Sequence, residues 1–431
     1  MDNLSTQALL RLMVFAIALP FLLPGLDIVG ELVFDETHYV PAAKSLLSLT
    51  ENRNPEHPLF AKEMIAAGLF LFGDNAYGWR LPGVMMSAFG LVACFEIAFR
   101  TFSSVKLALL TVVLLFTSIS FVVQARTAML DTYTYPLLAI SCALLMISAA
   151  PRRRFTTSTI LLILSGVCLG LATGAKWIAG IYAILALVFM IGQRIYRAFH
   201  DGRPATHAFF GRGFSSWPKF SLITAGLLFG LPSLIAYIAT YLPTLYLQRD
   251  PLNGIGGIIE FHLRMIELQT MPLAANSYES DWWSWPLLLK PIWYHFEATE
   301  GGGNRAIFYV GNPVVYWGGL IALLVCLVEG LRRKAAVPFR IGLAFLASWL
   351  TFAVLPKQIG FLFYYHGSAM IMCFVVAAAI SLAPAGRVRT GLYWTTLAAS
   401  TAVFAYFVPV IYALEMVEDQ WLRYVWLPSW P

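Results

Sequence analysis

Apolar runs long enough to cross a bilayer recur from one end of this 431-residue chain to the other, and they leave few folds open. A hydrocarbon layer ~30 Å thick offers backbone N–H and C=O groups no water, so a crossing segment satisfies them internally, as a helix does. The runs are roughly 17 to 25 residues long, which suits that thickness at ~1.5 Å per residue. About eleven can be placed, near residues 8–26, 81–99, 105–123, 132–150, 157–174, 177–193, 220–244, 313–331, 341–356, 365–383 and 391–414. They predict an all-α polytopic membrane protein, folded as a single transmembrane domain over residues 1–431. Composition agrees, with 59% hydrophobic and only 12% charged residues, about half the charge of a soluble domain.

The first run is expected to remain as a span, because it is long and Pro20, Pro24 and Asp27 replace the small residues of a signal cleavage site. Cys94, Cys142, Cys168, Cys326 and Cys373 all fall inside apolar runs, where they pack as small hydrophobes and build no loop disulfide framework.

Charge sets the orientation. With the N-terminus cytoplasmic, the inner loops collect Arg100 and Lys106, then Arg152, Arg153 and Arg154, then Arg194 to Lys219, Arg332 to Arg340, and Arg387 with Arg389, as short cytoplasmic loops do. The acids, apart from Asp2, Glu96, Asp201 and Glu329, fall on the outer face, where the tail from Glu415 onward also ends. The net charge of +6 therefore reports topology and not nucleic-acid binding. Two outer loops are long, 27–80 and 245–312, and connections of that length in a bundle usually carry function. In the first, 39–49 and 59–72 read as short interfacial helices. The second carries Trp282, Trp283, Trp285 and Trp293, an aromatic belt at headgroup depth, and Gly301-Gly302-Gly303 as a turn. The four spans over 313–431 form a C-terminal module.

The candidate chemistry lies in those loops. Asp35 and Glu36 follow the first span by about eight residues, in Phe34-Asp35-Glu36-Thr37-His38-Tyr39. They are either solvated loop acids or, half-buried among apolar neighbours, carboxylates whose pKa moves toward the range of a general base. Glu56-His57-Pro58 and Lys62 are either a rigid turn with a histidine filling a polar gap or a second part of the same site. Arg126, in Arg126-Thr127-Ala128-Met129-Leu130-Asp131, and Lys176, beside Trp177, are cations on the acid-rich outer side. Snorkelling at helix ends accounts for such residues; so does an anionic ligand or a buried partner such as Asp131, and Arg126, Lys176 and Lys290 are candidates to bind a phosphate by charge-assisted hydrogen bonds. His38, His57, His262, His295 and His366 are also outside, but no HExxH or paired-cysteine spacing accompanies them, so no metal or other cofactor is expected. There is no P-loop and no GxGxxG.

Taken in order, these segments resemble the motifs of the protein O-mannosyltransferases, polyprenyl- or dolichyl-phosphate-mannose-dependent enzymes of the GT-C membrane fold. The acidic pair comes first, then His57-Pro58-Leu59-Phe60-Ala61-Lys62 for the family's HPPLGK, Arg126 to Asp131 for RxxLLD, and Gly170 to Trp177 for the KW hairpin. Phe261-His262-Leu263-Arg264-Met265, Asn276 to Pro291, Gly311 to Trp317 and Phe363-Tyr364-Tyr365-His366-Gly367 continue the likeness into the C-terminal module. The departures are Leu59 and Ala61 within HPPLGK and Asn276-Ser277-Tyr278 for HPY, and the loop from Leu245 to Trp282 is too short for the β-trefoil MIR domain of eukaryotic members.

The resemblance implies an inverting transfer of a sugar, mannose first, from a polyprenyl phosphate to a hydroxyl, the Ser/Thr of exported proteins, at the outer face of a bacterial inner membrane. It gives Asp35 the role of base and Glu36 that of tuning it or binding acceptor. His38, Tyr39, His57, Lys62, Asp131, Trp177, His262, Trp285 and His366 would line the donor and acceptor pocket. Its partners would be the lipid-linked donor, a protein or envelope-glycan acceptor and the surrounding lipids. Other readings stay open: an enzyme of the same fold adding aminoarabinose or another sugar to lipid A or an envelope glycan, a lipid-linked-sugar transporter, or a scaffold. A transporter would place ionisable groups near mid-membrane and show repeated halves, neither of which is seen.

Overall fold

A computed structural model of the chain describes residues 2–150, 153–214, 219–272, 274–355, 357 and 359–430, with side chains from Thr6 onward and without that of Ile255. Arg152, expected among the inner-loop cations, lies outside them. The chain is mostly helical. It opens with α1 (Asp2–Leu22), the loop helices α2 (Glu36–Leu47) and α3 (Phe60–Phe72), and the long α4 (Ala76–Phe102). There follow α5 (Val105–Phe116), α6 (Ile119–Ala125), α7 (Asp131–Ser148), α8 (Phe155–Ala175) and α9 (Ile178–His200). A short α10 (Thr206–Phe210) precedes α11 (Leu222–Ala239) and α12 (Gly254–Thr270). A hairpin of β1 (Ile292–Ala298) and β2 (Asn304–Tyr309) leads into α13 (Pro313–Arg332), α14 (Ala336–Val354), α15 (His366–Leu382) and α16 (Arg387–Ile411).

Eight helices among the described residues are long and apolar enough to cross a membrane, nine if α5 and α6 count as one bent span, where about eleven were expected. The shortfall has two causes. The apolar part of α1, Thr6–Leu22, is a short helix, and α7 spends its first turns on Asp131, Thr132, Tyr133, Thr134 and Tyr135. The helical class holds, and the second outer loop adds one antiparallel pair, with Thr299 N–H bonded to Gly303 O across its Gly-rich turn. The two loop helices, by contrast, lie where the first loop was expected to be helical.

Helices α4, α7, α8 and α11 pack side by side in that order, and α13, α14 and α15 form a second group that meets the first through α5. Small residues allow this closeness. A Cβ at Gly166 of α8 would lie 2.1 Å from Phe229 O of α11, and one at Gly170 2.1 Å from Ser233 O, the backbone approach by which helices associate where lipid is as apolar as leucine.

The span expected over 105–123 is broken instead, with α5 and α6 meeting at 67°. Breaking a helix at membrane depth frees backbone groups that need partners. Asn312 supplies one: its Nδ2 donates to Thr117 O at 2.7 Å and to Ser400 O at 3.0 Å, while its Oδ1 caps α13 by accepting from Val314 N–H. The break thus turns α6, with Gln124 and Arg126 at its end, toward the outer loops.

Candidate active site

Two consecutive acids at the start of α2 face opposite ways. Glu36 is fully buried, and its carboxylate accepts from Arg80 Nε (3.0 Å) and Nη2 (2.8 Å), from Ala128 N–H (2.7 Å) and from Val33 N–H (3.0 Å). Arg80 spends its remaining N–H groups on the carbonyls of Leu26, Val29 and Glu31. The pair therefore joins α4, the loop after α1 and the corner between α6 and α7. Glu36, expected in the chemistry, is instead the anchor that fixes its neighbour.

That neighbour is Asp35. Its orientation is set by Phe34, whose φ of 46° lies in the left-handed region that a bulky residue rarely adopts. Such strain persists only where the surroundings hold it. Here the Phe34 ring stacks on Tyr294 at 4.4 Å and meets Phe363 edge-on, and Thr37 Oγ1 donates to Phe34 O. Tyr294 is held in turn by donating to Gln124 Oε1 at 2.8 Å and stacking on Tyr309.

Asp35 is half-buried and accepts from Tyr39 Oη at 3.3 Å. Burial raises its carboxyl above the usual aspartate range, against the opposing pull of His38 and Lys176. Lys176, at the end of α8, donates to both oxygens of the buried Asp131, at 2.7 and 2.9 Å, and lies over the rings of Phe363 and Tyr364. The other face of this group is closed by Lys357, which donates to Tyr364 Oη at 2.9 Å. The Lys357 side chain is exposed, and desolvation of its ammonium with the charge of Lys176 brings its pKa down to about 8. His57 edges against Tyr39 and accepts at Nδ1 from Gln269 Nε2, and burial holds its imidazole well below the usual range. A carboxylate with raised pKa opposite two ammonium groups can take a proton on one side of a substrate and face an anion on the other.

The remaining expected residues divide. Trp177 and His262 form a cluster of their own, both bonded to Tyr237 Oη, at 2.8 and 2.6 Å, with their rings stacked. His366 is buried behind the site against Tyr135 and Tyr309, and Trp285 packs between Phe352 and Tyr364 with its N–H on Ser280. Three cations are placed differently from the expectation. Arg126 donates to the carbonyls of Leu22, Pro24 and Gly25 and stacks on Tyr412, so it ties α1 to α6. Lys62, fully buried, donates to the carbonyls of Asn54, His57 and Arg53 and clamps the turn before α3. Lys290, half-buried, makes no side-chain hydrogen bond or ion pair with the described residues. His38 points outward beside Asp35.

Arg80, Lys357 and Tyr294 escaped the reading of the residues, and Tyr364 was given no role beyond its place in a motif. Arg80 and Lys357 carried a usable signal, since each is a cation on the acid-rich side, the criterion that singled out Arg126 and Lys176. Tyr294 carried none, because its position depends on a strand pairing that no periodicity announced.

Family models match two stretches of the chain. That of dolichyl-phosphate-mannose-protein mannosyltransferase matches residues 56–210, and that of the C-terminal four-helix region of protein-O-mannosyltransferase matches residues 255–430. The polyprenol-phosphate-mannose–protein mannosyltransferase of Mycobacterium tuberculosis is 25% identical, over 93% of this chain and 87% of that protein. Among solved structures, the Saccharomyces cerevisiae protein O-mannosyltransferase Pmt1-Pmt2 complex bound to the sugar donor shares the fold with a TM-score of 0.83, at 13% identity, over 99% of this chain and 93% of that one. ArnT from Cupriavidus metallidurans bound to undecaprenyl phosphate is more distant, with a TM-score of 0.54 at 15% identity, over 95% of this chain and 65% of that one. The two models describe successive parts of one architecture, and together with a relative aligned nearly end to end they establish that this chain belongs to the protein O-mannosyltransferase family, with the GT-C fold.

Proposed function

We propose that the chain transfers mannose from a polyprenyl-phosphate mannose to a hydroxyl of a protein, at the extracytoplasmic face of an inner membrane, with inversion at the anomeric carbon. The observation that carries this reading is the half-buried Asp35, raised above its usual pKa, opposite Lys176 and Lys357. The acceptor oxygen attacks the anomeric carbon as Asp35 takes its proton; the bond to the phosphate oxygen breaks, and the electron pair leaves with the polyprenyl phosphate. Lys176 and Lys357 face the developing charge on that phosphate, so the step calls for no metal at the reacting carbon. Asp131 keeps Lys176 aimed, and Tyr39 does the same for Asp35. The relatives are mannosyltransferases that act on proteins, which favours mannose and a protein acceptor over a lipid A or glycan acceptor. The outward placement rests on the distribution of basic loops and on the donor being lipid-linked.

The test is transfer from radiolabelled polyprenyl-phosphate mannose by purified protein, with membrane extract as the source of acceptors. Label in a protease-sensitive product that Asp35→Asn fails to make supports the reading. Label confined to lipid or glycan removes the protein acceptor, and equal labelling by Asp35→Asn removes Asp35 as base.

A further inference from the structure

We infer that Glu31, His295 and Glu297 form a binding site for a divalent transition cation of the zinc class, separate from the reacting carbon, which ties the loop carrying Asp35 to the β-hairpin. The three residues come from two parts of the outer face. Glu31 belongs to the loop between α1 and α2, and His295 and Glu297 belong to β1. One ligand atom from each residue lies within 4.8 Å of those of the other two.

The spacing is that of ligands rather than of hydrogen-bond partners. His295 Nδ1 is 3.6 Å from Glu31 Oε1, and His295 Nε2 is 3.6 Å from Glu297 Oε1. Both distances are too long for hydrogen bonds. Each is close to the ~3.4 Å that separates two ligand atoms on a tetrahedron with metal bonds of ~2.1 Å; one ion takes one ring nitrogen, so the inner pair is Nε2 with Glu297, and the exposed Glu31 carboxylate joins from the Nδ1 side by a turn of its side chain or through a water. A second observation points the same way. His295 is only 9% exposed, and its Nε2 is buried with no hydrogen-bond partner. A buried ring nitrogen without a partner costs free energy that a metal bond would offset. One imidazole nitrogen, two carboxylates and an open side are a donor set that suits Zn²⁺, with water completing the shell. The open side exists, because the Glu31 side chain is 67% exposed.

The local fold explains why these groups converge. The β1 register shifts between Trp293 and His295, a bulge that leaves both Tyr294 and His295 buried, and bulges re-aim side chains in this way. Tyr294 then reaches Phe34, and His295 faces Glu31. The Glu31 carbonyl also accepts from Arg80 Nη2 at 2.9 Å. A cation here would therefore fasten the loop from both ends, by Arg80 at the backbone and by the metal at the side chain. Arg305, 3.9 Å from Glu297, leans toward Glu415 as well and leaves Glu297 available.

The experiment uses full-length protein in detergent, stripped with EDTA, dialysed and titrated with Zn²⁺ alone by calorimetry, with thermal unfolding followed in parallel. We expect one equivalent bound, an unfolding midpoint raised by saturating Zn²⁺, and an affinity lower by at least about tenfold in His295→Ala, Glu31→Gln and Glu297→Gln. The two glutamine variants alter partly exposed side chains, so they remain informative if His295→Ala fails to fold. If the imidazole is simply an imidazolium held between two carboxylates, the wild type binds no stoichiometric ion and the inference falls. It falls equally if the glutamine variants bind as the wild type does. These readouts do not involve transfer activity, so they stand apart from the fate of the mannosyltransferase reading.

Discussion

The guanidinium of Arg80 meets the carboxylate of Glu36 side by side, Nε to Oε1 at 3.0 Å and Nη2 to Oε2 at 2.8 Å, one residue away from Asp35. Both groups are buried, so removing one leaves the other charged and without its partner. Arg80→Met is expected to cost ~3–5 kcal/mol. The double variant Glu36→Gln/Arg80→Met should recover part of that. Thermal unfolding of the three proteins in one detergent checks this, and a single variant as stable as the wild type would refute the anchoring role.

Asp35→Asn should behave oppositely, with little change in the unfolding midpoint and a loss of about 10²- to 10⁴-fold in kcat. The pH dependence follows from its raised pKa. The base works ionised, so the rate falls as the pH drops through that raised value, and this acid limb begins above the pH at which an ordinary aspartate would protonate. A kcat/KM profile flat across mildly acidic pH would count against Asp35.

Lys357 gives the alkaline side. With a pKa of about 8, it would meet the phosphate of the proposed mechanism as an ammonium below that pH and lose the charge above it. Donor KM should therefore rise between about pH 7 and 9 in the wild type. In Lys357→Ala it should be about tenfold higher already at pH 7, as expected for one charge-assisted contact, and no longer change with pH. Kinetics with the donor varied at several pH values decide this.

Lys176→Ala is predicted to be worse than Lys357→Ala, because it leaves the buried Asp131 without its partner as well as removing a phosphate contact. The double variant Asp131→Asn/Lys176→Ala should regain stability without regaining activity. Equal stability of the single and double variants would dissociate the two effects we attribute to Lys176.

Asn312→Asp separates two jobs of one side chain. The carboxylate can still cap α13 by accepting from Val314 N–H, but it no longer donates to Thr117 O and Ser400 O. The expected cost is ~1–3 kcal/mol for the Thr117 carbonyl left without a donor, since Ser400 O, inside α16, keeps its helical N–H. Unfolding measurements on Asn312→Asp and Asn312→Ala test it.

What could be read from the residues was what depends on local pattern. Helical spans follow from apolar runs, and the loop helices from mixed stretches beside Asp35 and Lys62. The acidic pair stood out because charge is rare in this chain. What escaped depends on contacts distant in sequence. Nothing beside Glu36 says that Arg80, 44 positions on, claims its carboxylate, so both acids looked equally available. Arg126 looked like a phosphate ligand because it is an outer cation, yet three carbonyls about a hundred residues earlier accept its N–H groups. The break between α5 and α6 was hidden because an apolar run reads the same straight or bent, and the residue that stabilises it, Asn312, follows nearly 200 positions later.

The Lys176–Asp131 pair also bears on how the enzyme lets go. A donor phosphodiester carries one negative charge, whereas a phosphate monoester, the form in which the lipid leaves, carries about −1.5 to −2 at pH 7. Two unneutralised lysines would hold the spent lipid more tightly than the fresh donor and stall each cycle on its own by-product. Asp131, already engaged with Lys176 at 2.7 Å, halves that trap, and Lys357 can shed its proton near pH 8. On the proposed mechanism, turnover would then depend as much on how weakly the site grips the dianion as on how well it assists its departure.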